Sequence, residues 1–152
     1  MKIKEFKLER LFARYKAQAK YTFSQTACEF CTMQEILDMA DDECKALWNN
    51  LSLGYTNSMG FPPFREAVSR RYNSVRQSDI LEVIPEEGIF IFMNTMLDPG
   101  DEVIVMQPAL PSLYEIPRSL GCKIIRWPLE VTSWGWRLDI DFLADNISPK
   151  TK

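Results

Sequence analysis

From Ile80 to Asn146 the chain alternates between short apolar runs rich in β-branched residues and longer helical patterns. Residues 80–84, 103–106 and 122–127 read as strands, the second nearly all apolar, as when both faces of a strand are covered. Residues 86–97 form a strongly apolar helical stretch containing Ile89, Phe90, Phe92, Met93, Met96 and Leu97. It ends at Asp98-Pro-Gly-Asp101, whose residue types make a turn. Residues 111–120 predict a helix closed by Gly121, the residue favoured just past a helix end. A last short helix is expected over 138–146. Strands that alternate with helices imply a parallel sheet with right-handed crossovers. The expected fold is therefore α/β: part of a three-layer α/β/α sandwich with a short, mainly parallel sheet. Three strands make a thin sheet, and a fourth would be expected where the sequence ends. An edge left open in this way predicts self-association or uptake of a hydrophobic dye.

Helices are expected ahead of this region. Leu8, Leu11, Phe12 and Tyr15 follow the i, i+3, i+4, i+7 spacing of an amphipathic helix. Thr32 with Glu35 three residues on fits a capping box, and Asp41 fits the cap of a helix over 42–49. Residues 53–60 are a loop by composition. Pro62 and Pro63 then suit a helix's first turn, with Phe64, Ala67, Val68 and Tyr72 expected inside. No linker divides the chain, so residues 1–152 are expected to form one domain, with helices and a loop over 1–78 and the βαβαβ part over 79–152.

Composition removes several functions. The 152 residues carry a net charge of −3 and no long basic block, so nucleic acid is not an expected partner. No apolar run approaches the ~18–20 residues of a membrane helix, and the alternating start is not a secretory signal, so a cytoplasmic protein is expected. Histidine is absent, which removes Ser-His and Cys-His nucleophile pairs. Cys28 and Cys31 form a CxxC, but a structural zinc site needs four ligands. Cys28, Cys31, Cys44 and Cys122 are expected to be free, buried thiols, with metal or redox chemistry the lesser reading. No metal site is expected. Neither G-x-G-x-x-G nor a Walker-type loop occurs, which leaves a nucleotide-binding domain without its motif.

Four segments together carry a family resemblance. Ile84-Pro-Glu-Glu-Gly88 opens a helix that closes at Leu97-Asp-Pro-Gly-Asp-Glu-Val-Ile-Val105. Leu53-Gly-Tyr-Thr-Asn-Ser-Met-Gly60 precedes Arg65-Glu66. Pro108 precedes Ser112-Leu-Tyr-Glu-Ile116 and Gly121, and Trp136-Arg-Leu-Asp139 follows. In order and spacing they resemble the front part of class I/II aminotransferases, pyridoxal-phosphate (PLP) enzymes of fold type I, with capreomycidine-synthase-like enzymes the nearest subgroup. The resemblance implies an incomplete large domain of that fold, pyridoxal 5'-phosphate as cofactor and an amino acid as substrate. It also implies a dimer, whether a homo-oligomer or a pairing with a full-length homologue.

It further implies site residues. Pro85, Glu86 and Glu87 would form the phosphate cradle, since a helix N-terminus offers free N–H groups and a positive dipole end. Pro85 has no N–H, and two glutamates bring negative charge, so either the backbone alone serves or the glutamates simply complement the helix dipole. Tyr55 falls where the family places a tyrosine that reaches the partner subunit's phosphate; otherwise it packs at an interface. Leu110 falls where the family stacks an aromatic on the pyridine ring, and leucine can cover a ring without π-stacking. Phe90 and Phe92 are expected in the core, and Arg65 and Arg118 solvated or salt-bridged. No residue of the chain is assigned to catalysis. The Schiff-base lysine, the acid facing the pyridine nitrogen and the arginine that pairs with the substrate carboxylate all lie downstream in the family. The 152 residues alone are therefore expected to be inactive, and a non-catalytic dimerisation module is the alternative.

Overall fold

The computed structural model describes residues 2–22 and 28–152. Seven α-helices and three strands occur among them. Helix α1 spans Lys7–Tyr15, α2 Met33–Met39, α3 Asp42–Asn49 and α4 Pro62–Ser69. After a 3-10 turn at Gln77–Asp79 come α5 (Pro85–Met96), strand β1 (Glu102–Gln107), α6 (Ser112–Ser119), β2 (Lys123–Thr132), β3 (Gly135–Leu138) and α7 (Asp141–Asn146). They group into two compact units, one of Met1–Ala19 with Val83–Lys152 and one of Lys20–Glu82. The first nineteen residues thus go with the α/β part.

The α/β unit is built on a βαβ crossover. β1 and β2 pair in parallel from Glu102↔Lys123 to Gln107↔Pro128. Val103 and Val105 alternate inward on β1 and form, with Cys122, the buried core. α6 buries Ser112, Ile116 and Pro117 on one face. Gly121 turns out of α6 at φ 91°, a region open to glycine. The Asp98–Asp101 turn forms as expected. The Asp101 N–H donates to the Asp98 carbonyl at 3.1 Å, and the Asp98 N–H donates to the Asp101 carboxylate at 2.9 Å.

The sheet departs from expectation in two places. Residues 80–84 are extended but unpaired as a strand. The Ile80 carbonyl accepts from the Arg65 guanidinium at 3.3 Å, and the Glu82 N–H donates to the Met59 carbonyl at 3.1 Å. A β-branched run supplies the conformation, but a strand also needs a neighbour, and here the polar groups are taken by a side chain and a loop. In its place stands a hairpin, with β2 and β3 antiparallel from Leu129↔Leu138 to Thr132↔Gly135. Pro128, which has no N–H, sits where β2 leaves β1 and begins to pair with β3. On the far edge of β1, Glu102 forms a parallel bridge with Thr151. The Glu102 N–H donates to the Lys150 carbonyl at 2.8 Å, so residues 150–152 lie in the fourth-strand position.

In the other unit the caps are as expected. Thr32 and Glu35 exchange both bonds of a capping box, and Asp41 accepts from the Cys44 N–H at 2.8 Å. The expected burial is not found: Phe64 and Tyr72 are exposed, and α4 stops at Ser69, before Tyr72 can join its face. Phe90 and Phe92 of α5 are exposed too, because that helix is apolar on more sides than its own unit covers.

Candidate functional site

The site is set by topology. α5 of twelve residues is about 18 Å long and β1 of six about 20 Å. The two are joined by the tight Asp98–Asp101 turn and run in opposite senses. The N-terminus of α5 therefore lies at the carboxyl end of β1, the end at which open α/β sheets bind their ligands. Met93 of α5 and Val103, Val105 and Pro108 share the wall of an apolar cavity of about 280 Å³.

At this end α5 begins abruptly. Ile84 is its cap and makes no side-chain capping bond, and Pro85 opens the first turn. The Gly88 N–H donates to the Ile84 carbonyl at 2.9 Å, the first bond of the helix. That leaves the N–H groups of Glu86 and Glu87, which have no acceptor among the described residues. Both residues are exposed. Two adjacent free donors at the positive end of a three-turn helix make a binding place for an oxyanion. Gly88 is required there: a Cβ on it would lie 2.6 Å from Val83 Cγ2. In the sequence Gly88 stands out only as part of the Ile84–Gly88 segment, with no role of its own. Its signal was available, since glycine inside a helix costs about 1 kcal/mol and asks for a packing reason.

Leu110 belongs to the same end. It lies just past β1, is 47% exposed, and its carbonyl accepts from the Leu113 N–H at 3.1 Å, which ties the loop to α6. Pro85, Glu86, Glu87 and Leu110 are thus in one unit. Tyr55 is in the other, fully exposed, on an apolar groove of about 490 Å³ lined also by Leu47, Leu51 and Phe61.

The remaining candidates sort by surroundings. Arg118 pairs with Glu115 and lies over the Tyr114 ring. Arg65, expected to be solvated or salt-bridged, is instead half-buried on the Gln77 and Ile80 carbonyls, with its Nε unpaired. The thiols are free, but Cys28, Cys31 and Cys44 are exposed and only Cys122 is buried. Three of the four therefore contradict the expected burial, because the segments that hold them lie outside any core. No helix among the described residues is long and apolar enough to cross a membrane.

No protein-family model matches the chain. It is 32% identical over 107 residues to an aspartate/prephenate aminotransferase of Thermus thermophilus, spanning 64% of this chain and 27% of that protein. It is 28% identical over 157 aligned positions to an aspartate aminotransferase of Pyrococcus horikoshii, spanning 99% of this chain and 39% of that one. Among solved structures, a PLP-dependent aminotransferase from Streptococcus suis superposes on the whole chain with a TM-score of 0.86 at 28% identity; the chain covers 41% of it. The chain spans between 25% and 39% of the length of the curated relatives it matches.

Proposed function

We propose that this chain, whose homologues are pyridoxal-phosphate-dependent aminotransferases and which matches part of their length, forms one wall of a pyridoxal-phosphate pocket. The observation that carries this reading is the pair of acceptor-free N–H groups of Glu86 and Glu87 at the carboxyl end of β1. The donor set fits a phosphate: two backbone N–H groups at the start of a twelve-residue helix, followed by a glycine whose added Cβ would lie 2.6 Å from Val83 Cγ2. When bound, the cofactor supplies the electron sink for moving an amino group between an amino acid and a 2-oxo acid. The residues of this chain bind and orient. Glu86 and Glu87 donate through the backbone, and their carboxylates turn to solvent, where the negative charge is screened. Leu110 covers the ring and excludes water from one face. The 152 residues are assigned no proton transfer, and alone they are expected to turn over no amino donor.

Fluorescence titration of pyridoxal phosphate tests this. Glu87→Pro removes one donor at a first-turn position that tolerates proline, and is expected to weaken binding about tenfold, the worth of one hydrogen bond to a charged group. Glu86→Gln with Glu87→Gln keeps both donors and removes charge, and is expected to tighten binding. Equal affinities for all three proteins would refute the cradle.

A second reading is favoured by one observation. Leu53 and Tyr55 are almost wholly exposed beside an apolar groove, which suits a surface covered in an oligomer. The partner would be a second copy or a full-length homologue. Sedimentation at rising concentration tests it; a monomer throughout would set it aside.

A further inference from the structure

We propose that Cys28 and Cys31 are a redox site that closes reversibly into an intrachain disulfide. The two thiols are three residues apart, both free and both exposed. Among the described residues, no hydrogen bond holds the backbone of 28–31; the first anchored residue is Thr32, locked by its capping box with Glu35. A bridge needs its Cα atoms roughly 4.4–6.8 Å apart, against about 10 Å for a fully extended i, i+3 pair. The bridged form therefore needs residues 28–31 bent, and no ladder or helix bond has to break for that.

The other two thiols compete poorly. Cys122 is buried in the core, and burial pushes its thiol up. Cys44 is exposed, but the Asp41 carboxylate beside it pushes its thiol up and holds back the thiolate that would react.

The co-reactant is a low-molecular-weight disulfide such as oxidised glutathione. One cysteine thiolate attacks the glutathione S–S bond, forming a mixed disulfide and releasing one glutathione thiolate. The second cysteine, as thiolate, attacks the protein sulfur of that mixed disulfide and releases the other glutathione. Two protein thiols are oxidised to one disulfide, one glutathione disulfide is reduced to two thiols, and the two cysteine protons leave on the two glutathiones. The product closes a four-residue ring directly ahead of the α2 cap.

The test equilibrates the protein in glutathione buffers of increasing oxidised fraction, alkylates the remaining thiols and maps them by proteolysis and mass spectrometry. The expected result is joint protection of Cys28 and Cys31 in one peptide lighter by two hydrogens, reversed by reductant, while Cys44 and Cys122 remain alkylatable once the chain is unfolded. Cys28→Ser and Cys31→Ser change only exposed side chains, so folding is expected to survive. Each variant should then stall with glutathione on its remaining thiol. Full alkylation of both thiols at every buffer ratio, or a bridge from either one to Cys44, would overturn the proposal.

Discussion

Thr32 shows how one side chain sets an element. Its Oγ1 accepts from the Glu35 N–H at 3.2 Å, and the Thr32 N–H donates to the Glu35 carboxylate at 2.6 Å. Thr32→Ala is expected to cost about 1 kcal/mol in chemical unfolding, the usual worth of such a cap. Ser112 is the opposite case. Its hydroxyl is buried and has no partner among the described residues, so Ser112→Ala is expected to leave stability unchanged or raise it by up to about 1 kcal/mol. Asp79 supplies a pH dependence. The Arg76 guanidinium beside it, with the Arg76 N–H, lowers its carboxyl from the ordinary 3.8 to about 2. The folded value lies below the unfolded one, so the stabilisation is present above about 3.8 and is lost as pH falls towards 2. An NMR titration of the Asp79 side-chain carboxyl should show the low midpoint, and Arg76→Ala, which keeps the backbone N–H, should raise it part of the way to the ordinary range.

At the scale of elements, what local rules govern was legible in the sequence. The capping box at Thr32, the Asp41 cap, the span of α5, its closing turn and β1 depend on neighbours in sequence, and the residues declare them. The strand at 80–84 and the hairpin at 129–138 depend on pairing across the chain. Ile80 and Val83 have the propensity but no neighbouring strand. β3 went unread because Ser133, Trp134 and Gly135 break the strand pattern, although Leu129 and Val131 alternate in register with Leu138 and Trp136; the helix expected over 138–146 starts only at Asp141, because Leu138 pairs in β3. For the candidate site, the sequence supplies expectations, and the structure places four of the five residues in one unit. Residue type and order pointed to Pro85, Glu86, Glu87 and Leu110. The need for Gly88 was not read, because only packing reveals Val83 above it. Gly88→Ala is therefore expected to destabilise α5 by roughly 1–3 kcal/mol through the clash with Val83, and Val83→Ala in the same chain to relieve most of that loss.

At the scale of the whole molecule, burial is sparse. Among the described residues the buried hydrophobic ones are Val103, Val105, Ile116 and Cys122, while Leu53, Tyr55 and Trp134 are almost fully exposed. Such a surface predicts that the 152-residue polypeptide binds a hydrophobic dye or self-associates, and a dye-silent monomer would contradict that. The glutamates of α5, the loop at Leu110 and the end of β1 belong to the same unit. The central claim is that the Glu86 and Glu87 N–H groups hold the cofactor's phosphate. Amide chemical-shift mapping during titration with pyridoxal phosphate tests it directly. The account predicts that the largest saturable shifts fall on the Glu86, Glu87 and Gly88 amides, with smaller ones at Leu110. Saturable binding that leaves those three amides unmoved would contradict it.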